Sequence, residues 1–392
     1  MKKLFFFVVL GLLLSPTVSS SSVQADDSCS ADLEVLTTSD GVEFVRTPDD
    51  CFEDLPGWPY KTQYVEIDGL RQAYFDVGRA DADPILLLHG QPSWSYLYRF
   101  MIPVLAASGH RVIAMDHIGM GRSDKPIDLE YYTYLGHVSR LEAFIQALDL
   151  DHITLFGQDW GGVMGLQVVG THPDWFDRFV IGHAALPIFE AGTIPFPLPQ
   201  DIEASNARVS RFFAAIPERQ PPFYDKEGNL LFQGFNSDEG FGALIAHALY
   251  YEDYRASEIV EALTYFALTQ KEEAAYDAPF PSRIAMAGPR TFPSLVNMMP
   301  GVTQVAWEGL STFEKPFLTI WGDNDPVPLV GPPEIQQALI TAIPGAAGQD
   351  HVRLRLASHF LQDDRGVAIA RRINAFISDT SVISEPDEEM SD

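Results

Sequence analysis

Two hydrophobic rhythms alternate along this chain. Short, nearly continuous apolar runs (Ile85 to Leu88, Arg111 to Met115, His152 to Phe156, Phe179 to Ile181, Phe317 to Trp321 and Val352 to Leu356) read as strands buried on both faces. Segments with helical spacing, such as Tyr134 to Leu148, lie between them. That alternation predicts an α/β fold, a mostly parallel sheet with helices on both faces. Ligands in such sheets bind at the carboxyl ends of the strands, so chemistry is expected in the residues just after each run.

The alternation breaks from about Leu186 to Phe280. Pro187, Pro195, Pro197 and Pro199 open this stretch, and helical, aromatic-rich sequence follows, Ala243 to Tyr254 and Ile259 to Leu268. It reads as a helical cap, residues 186–280, able to close over the strand ends and exclude water. Residues 46–185 and 281–377 then form the core. Residues 26–45 are an N-terminal extension, and 378–392 an acidic, disordered tail.

The first 25 residues have the pattern of a secretory leader. Lys2 and Lys3 precede an apolar run, Leu4 to Leu14, too short to span a bilayer, and Val23-Gln24-Ala25 offers a cleavage site before Asp26. An exported protein, periplasmic or extracellular, is the expectation, without a stable membrane span. Cys29 and Cys51 are the only cysteines, and an oxidising compartment favours a disulfide between them. No third cysteine or histidine stands near them at metal-ligand spacing, so no metal is expected there. Losing Lys2 and Lys3 takes the formal charge from −28 to −30. Such acidity argues against nucleic acid and anionic membranes as partners. A monomer that needs no cofactor is the expected working form.

The sharpest local signal is Gly157-Gln158-Asp159-Trp160-Gly161-Gly162, which follows one predicted strand and opens a helical pattern. It reads as a nucleophile elbow with Asp in the place usually held by Ser. A carboxylate needs no base to become a nucleophile. Attack on an acyl carbon would give an anhydride and gain nothing; attack on a saturated carbon bearing a leaving group gives an alkyl ester that water can hydrolyse. Asp159 therefore points to an electrophile such as a haloalkane or an epoxide.

The partners follow in the order nucleophile, acid, base. Gly322-Asp323-Asn324-Asp325 comes after one strand and Ala357-Ser358-His359 after the next. His359 would activate water against the ester, and an acid would orient its ring. Asp325 fits that role better than Asp323, which stands closer to the strand end and suits turn-capping. The loop His89-Gly90-Gln91-Pro92 supplies a backbone N–H at Gln91. With the N–H of Trp160 it would form the oxyanion hole. His89 and His183, each after a strand, read as structural.

Together these motifs resemble the haloalkane dehalogenases, a group of α/β-hydrolases, and especially their first subfamily. The likeness covers most of the chain from Arg46 onward. It is carried by His89 through Arg99 (HGQPSWSYLYR), Gln158 through Gly162 (QDWGG), Gly121 through Pro126 and Ala278 through Pro281. The resemblance implies an α/β-hydrolase fold with an inserted helical cap, and cleavage of carbon–halogen bonds to alcohol and halide. Asp159 would be the nucleophile, His359 the base, Asp325 the acid and the Trp160 indole a halide donor. The substrate would be a small haloalkane, with water as the second reactant. There are two departures: Gln91 stands where Glu is usual, and the cap has no Trp between Trp175 and Trp307. The Gln91 amide is then the expected second halide donor. An epoxide hydrolase shares this triad but needs cap tyrosines, for which Tyr250, Tyr251, Tyr254 and Tyr265 are available. A binding protein that has lost catalysis would not need an intact triad.

Overall fold

The computed structural model describes Cys29, residues 32–215 and residues 240–381. The leader, residues 1–25, and most of the acidic tail lie outside the described residues. Eleven strands are present among them. β1 (Val35–Thr37) and β2 (Glu43–Val45) belong to the extension and pair with the short β7 (Lys125–Pro126). The main sheet holds β3 (Gln63–Ile67), β4 (Leu70–Gly78), β5 (Pro84–Leu88), β6 (Arg111–Met115), β8 (Ile153–Gln158), β9 (Phe176–Gly182), β10 (Phe317–Gly322) and β11 (Val352–Leu354). Its order is β11-β10-β9-β8-β5-β6-β4-β3. The strands from β11 to β6 are parallel, and β4 and β3 add an antiparallel edge.

Every residue of β5, β8 and β10 is buried, the mark of a sheet covered on both faces. Burying each Leu of the Leu86-Leu87-Leu88 run contributes about 1.5–3 kcal/mol. The covering helices are α1 (Ile102–Ala107), α2 (Tyr134–Ala147), α3 (Trp160–Thr171) and, after β9, a series that forms or adjoins the cap. That series is α4 (Ile202–Ala215), α5 (Gly240–Tyr250), α6 (Ala256–Ala262), α7 (Gln270–Asp277), α8 (Ala287–Thr291) and α9 (Gln304–Leu310). α10 (Pro333–Ala342) and α11 (Leu361–Thr380) complete the core. α2 begins where the periodicity predicts, its first turn capped by the Thr133 side chain accepting from Gly136 N–H.

Several details differ from the sequence-based expectation. α5 ends at Tyr250 and leaves Tyr254 in the turn before α6. β11 ends at Leu354, and Leu356 takes a left-handed φ of 58° that turns the chain toward His359. α11 runs to Thr380, into the stretch read as disordered tail, because Phe376 is buried in the core and Arg178 holds Thr380. Cys29 is bonded to Cys51 across a separation of 22 residues. Closing such a loop contributes about 3 kcal/mol by restricting the unfolded chain. No helix among the described residues is long and apolar enough to cross a membrane.

Candidate active site

The sheet register brings several turns to one rim. Leu88 pairs with Gly157, Gln158 with Gly182, and Gly322 with Leu354, so the residues after these strands emerge side by side. The order reverses at β5, which has β6 on one side and β8 on the other. A crevice opens at that reversal, and its two lips carry Gln91 and Asp159.

Asp159 has φ 52° and ψ −131°, a strained conformation costing about 1–3 kcal/mol. α3 starts at the next residue. The chain can turn this sharply because a Cβ at Gly161 would collide with the Leu88 carbonyl, and Gly has none. The turn lifts the carboxylate above the strand ends. Gln91 N–H donates to Asp159 Oδ1 at 2.8 Å, and His359 Nε2 lies 3.4 Å from Asp159 Oδ2.

The other side of His359 is equally constrained. Its Nδ1 donates to Asp325 Oδ2 at 2.9 Å, and Asp325 Oδ1 accepts from Val327 N–H at 2.8 Å. The Gln158 side chain donates to the His359 carbonyl at 3.0 Å, tying the His359 loop to the strand that carries Asp159. The sequence motif includes Gln158 but assigns its side chain no role. Asp323 accepts from Leu356 N–H at 3.1 Å and from the Asn324 side chain, so it shapes the turns and does not face His359.

Charge follows geometry. Burial alone would make His359 a weaker base, but Asp325 and Asp159 on its two nitrogens outweigh burial and push its pKa up to about 10. Burial would likewise raise Asp325, yet the facing His359 and His183 hold it well below the usual carboxylate range. Asp325 and Asp159 thus flank the two ring nitrogens of His359, and this setting favours its protonated form.

Asp159 and Trp160 open into a cavity of about 410 Å³. Its walls are apolar: Val163, Leu186, Phe189, Phe196, Phe241, Val296, Met299, Trp307, Val327 and Leu339, among others. Among the described residues, Asp159 is the one charged residue in the lining. Such a space accepts a small apolar molecule and offers its reacting carbon a carboxylate. The Trp160 indole packs edge-on against Phe292, and no described residue accepts a hydrogen bond from its N–H. Trp307 reaches the cavity wall from α9, outside the predicted cap, but its indole N–H is committed to the Leu186 carbonyl at 2.8 Å.

Gln91 differs from expectation. Its side-chain amide donates to Tyr254 Oη and, at 3.1 Å, to the Pro289 carbonyl. In this arrangement both amide hydrogens are engaged, and the backbone N–H is what faces Asp159. Of the cap tyrosines, Tyr250 is about half exposed and Tyr251 stacks on His247, whereas buried Tyr254 meets Gln91 in the loop after β5. His89 is enclosed: its Nδ1 donates to the Gly90 carbonyl at 2.8 Å and its Nε2 accepts from His117 N–H at 3.1 Å. Burial lowers its pKa to about 4.

The family described as "alpha/beta hydrolase fold" matches residues 83–365. The chain is 39% identical over 342 residues to a haloalkane dehalogenase of Mycobacterium marinum, covering 85% of this chain and 99% of the relative. A haloalkane dehalogenase of Psychrobacter cryohalolentis is 36% identical over 348 residues, covering 86% of this chain and 99% of the relative. Among solved structures, the tetrameric haloalkane dehalogenase of Paraglaciecola agarilytica superposes with a TM-score of 0.61 at 29% identity, covering 84% of this chain and 97% of its own.

Proposed function

The chain belongs to the haloalkane dehalogenases, within the α/β-hydrolases, and from that membership we propose how its own residues hydrolyse a carbon–halogen bond to alcohol and halide. Asp159 Oδ2 attacks the halogen-bearing carbon. A C–O bond forms as the carbon–halogen bond breaks, and the bonding pair leaves with the halide. His359 then takes a proton from water, whose oxygen attacks the carboxyl carbon of the ester. Charge collects on Oδ1, where the Gln91 N–H already sits. On collapse the bond between the carboxyl carbon and Oδ2 breaks. The departing alkoxide takes the proton from His359 and leaves as the alcohol, and the water oxygen stays on the Asp159 carboxyl. The observation that carries this reading is the Asp159 carboxylate, held at Oδ1 by Gln91 and 3.4 Å from His359 at Oδ2, at the base of an apolar cavity. Incubation with short chloro- and bromoalkanes and, separately, styrene oxide tests it. Halide and alcohol should appear; diol formation without halide release from the alkanes would argue for the epoxide reaction.

The departing halide needs an oriented N–H, and the Trp160 indole meets that need. Trp160→Phe should slow single-turnover alkylation by about 10²–10³. Gln91→Ala keeps the backbone N–H, so its loss should stay near tenfold or below, about the worth of one neutral hydrogen bond. If Gln91→Ala matched Trp160→Phe, the amide would have to turn toward the halide during reaction. An epoxide-opening acid would fall to Tyr254, so Tyr254→Phe should leave halide release largely intact.

Ester formation removes the charge of Asp159, one of the two groups that hold the proton on His359. Its pKa must therefore fall from about 10 when the alkyl-enzyme forms. Hydrolysis should rise with pH along a limb below 10, while alkylation stays flat over the same range. The sign is fixed: the raised value belongs to the free enzyme, and only neutral His359 accepts the water proton. A pH-indicator stopped-flow experiment should detect a proton released with or after alkylation.

We also infer export, supported by the leader pattern of residues 1–25 and the Cys29–Cys51 bond. The protein recovered outside the cytoplasm should begin at Asp26 and show no free thiol. An unprocessed N-terminus in the cytoplasm would refute this.

A further inference from the structure

We propose that His183 is a positioning residue for ester hydrolysis, sharing Asp325 with His359 and so setting how firmly the acid grips the base. The proposal rests on the ester mechanism above. His183 lies in the turn after β9 with φ 42°, fully buried, its ring 5.5 Å from that of Trp321 and 5.7 Å from that of His359. Gly322 N–H donates to its Nε2 at 2.7 Å. The ring proton therefore resides on Nδ1, which lies 2.7 Å from Asp325 Oδ2 in a contact bent from the ideal hydrogen-bond line. That same oxygen accepts the His359 Nδ1–H. Two imidazole Nδ1 atoms thus converge on one carboxylate oxygen, His359 through a hydrogen bond and His183 through a close electrostatic contact, while Oδ1 is held by Val327 N–H. Among the described residues, the other charged groups acting on this pair are Asp159, beside His359, and Arg353, beyond His183.

The arrangement has a chemical consequence. Negative charge on Oδ2 that is shared with His183 is not wholly available to stabilise the His359 imidazolium. Without the His183 contact, Asp325 would hold the imidazolium more tightly, and fewer molecules would carry the neutral base. A residue that merely filled space would not act on the pH profile in this way.

Two variants separate these roles. His183→Phe and His183→Asn both remove the acceptor for Gly322 N–H, but only Asn offers an N–H near the position of Nδ1. In His183→Phe the pH limb of ester hydrolysis should move up by about one pH unit, a tenfold shift in the protonation equilibrium of His359. The rate should fall about tenfold below the limb and converge with wild type above it. His183→Asn should restore most of the limb. In proton NMR the wild type should show two low-field imidazole N–H signals, and His183→Asn should lose one and shift the other. Alkylation by a bromoalkane, read as the covalent adduct trapped by rapid quench in a single turnover, should be normal in both variants, which also shows that they are folded. An unmoved limb with a normal adduct would overturn the positioning role alone. A rate lowered equally at every pH would do the same. Absence of the adduct from His359→Phe, where the ester cannot be hydrolysed, would overturn the ester mechanism beneath it.

Discussion

Replacing His359 by Phe should leave an enzyme that releases about one halide per active site and then stops. The first half-reaction needs only the Asp159 carboxylate and a donor for the halide, and neither is lost. The second half-reaction needs a base for water, and the 3.4 Å approach of His359 Nε2 to Asp159 Oδ2 identifies it. Removing a general base costs about 10²–10⁴ in rate. Steady-state turnover should fall by at least that much, because no other imidazole faces the ester: His183 is committed to Gly322 and Asp325, and His89 to Gly90 and His117. Rapid-quench measurement of halide against enzyme concentration checks the stoichiometry of the burst.

Asp325→Asn should cost nearly as much, by a different route. His183 and His359 both present Nδ1–H to Asp325 Oδ2. An amide has one accepting oxygen, and Val327 N–H, a donor that cannot change, holds it at the Oδ1 position, so the NH₂ stands where Oδ2 stood and faces both rings. The tautomer of His183 is pinned by Gly322 N–H, so His359 is the ring that yields, moving its proton to Nε2 where the base should be free. A wrong tautomer at a catalytic histidine lowers rate by about 10⁴. Ester hydrolysis should fall on that scale while alkylation persists, and single-turnover experiments that time halide and alcohol separately check it. If both steps slowed together, Asp325 would be supporting the fold of the site and not the state of its base.

Much of this site could be read from the chain. Asp159, Asp325 and His359 each follow an apolar run, and a parallel sheet carries the ends of such runs to one rim. What the pattern could not supply was long-range capping. The helix read as far as Tyr254 stops at Tyr250 because Arg283 donates to the Tyr251 and Glu252 carbonyls and Arg290 to those of Ala248 and Leu249. That early stop frees Tyr254 to meet Gln91, which in turn engages the amide expected to bind halide. The indole of Trp307 was invisible for the same reason: α9 lies beyond the predicted cap, packed on α3 where Gly170 and Gly309 bring the backbones into contact. Asp68-Gly69, both at positive φ between the alternating runs of β3 and β4, is a hairpin signal.

The central claim is that Asp159 becomes an ester which only His359 can resolve. Mass spectrometry of the His359→Phe variant after exposure to a bromoalkane tests it most directly. The intact protein should gain one alkyl group, located by peptide mapping on Asp159, and Asp159→Ala should gain none. Continued turnover by His359→Phe, or an alkyl group on any other residue, would contradict the mechanism.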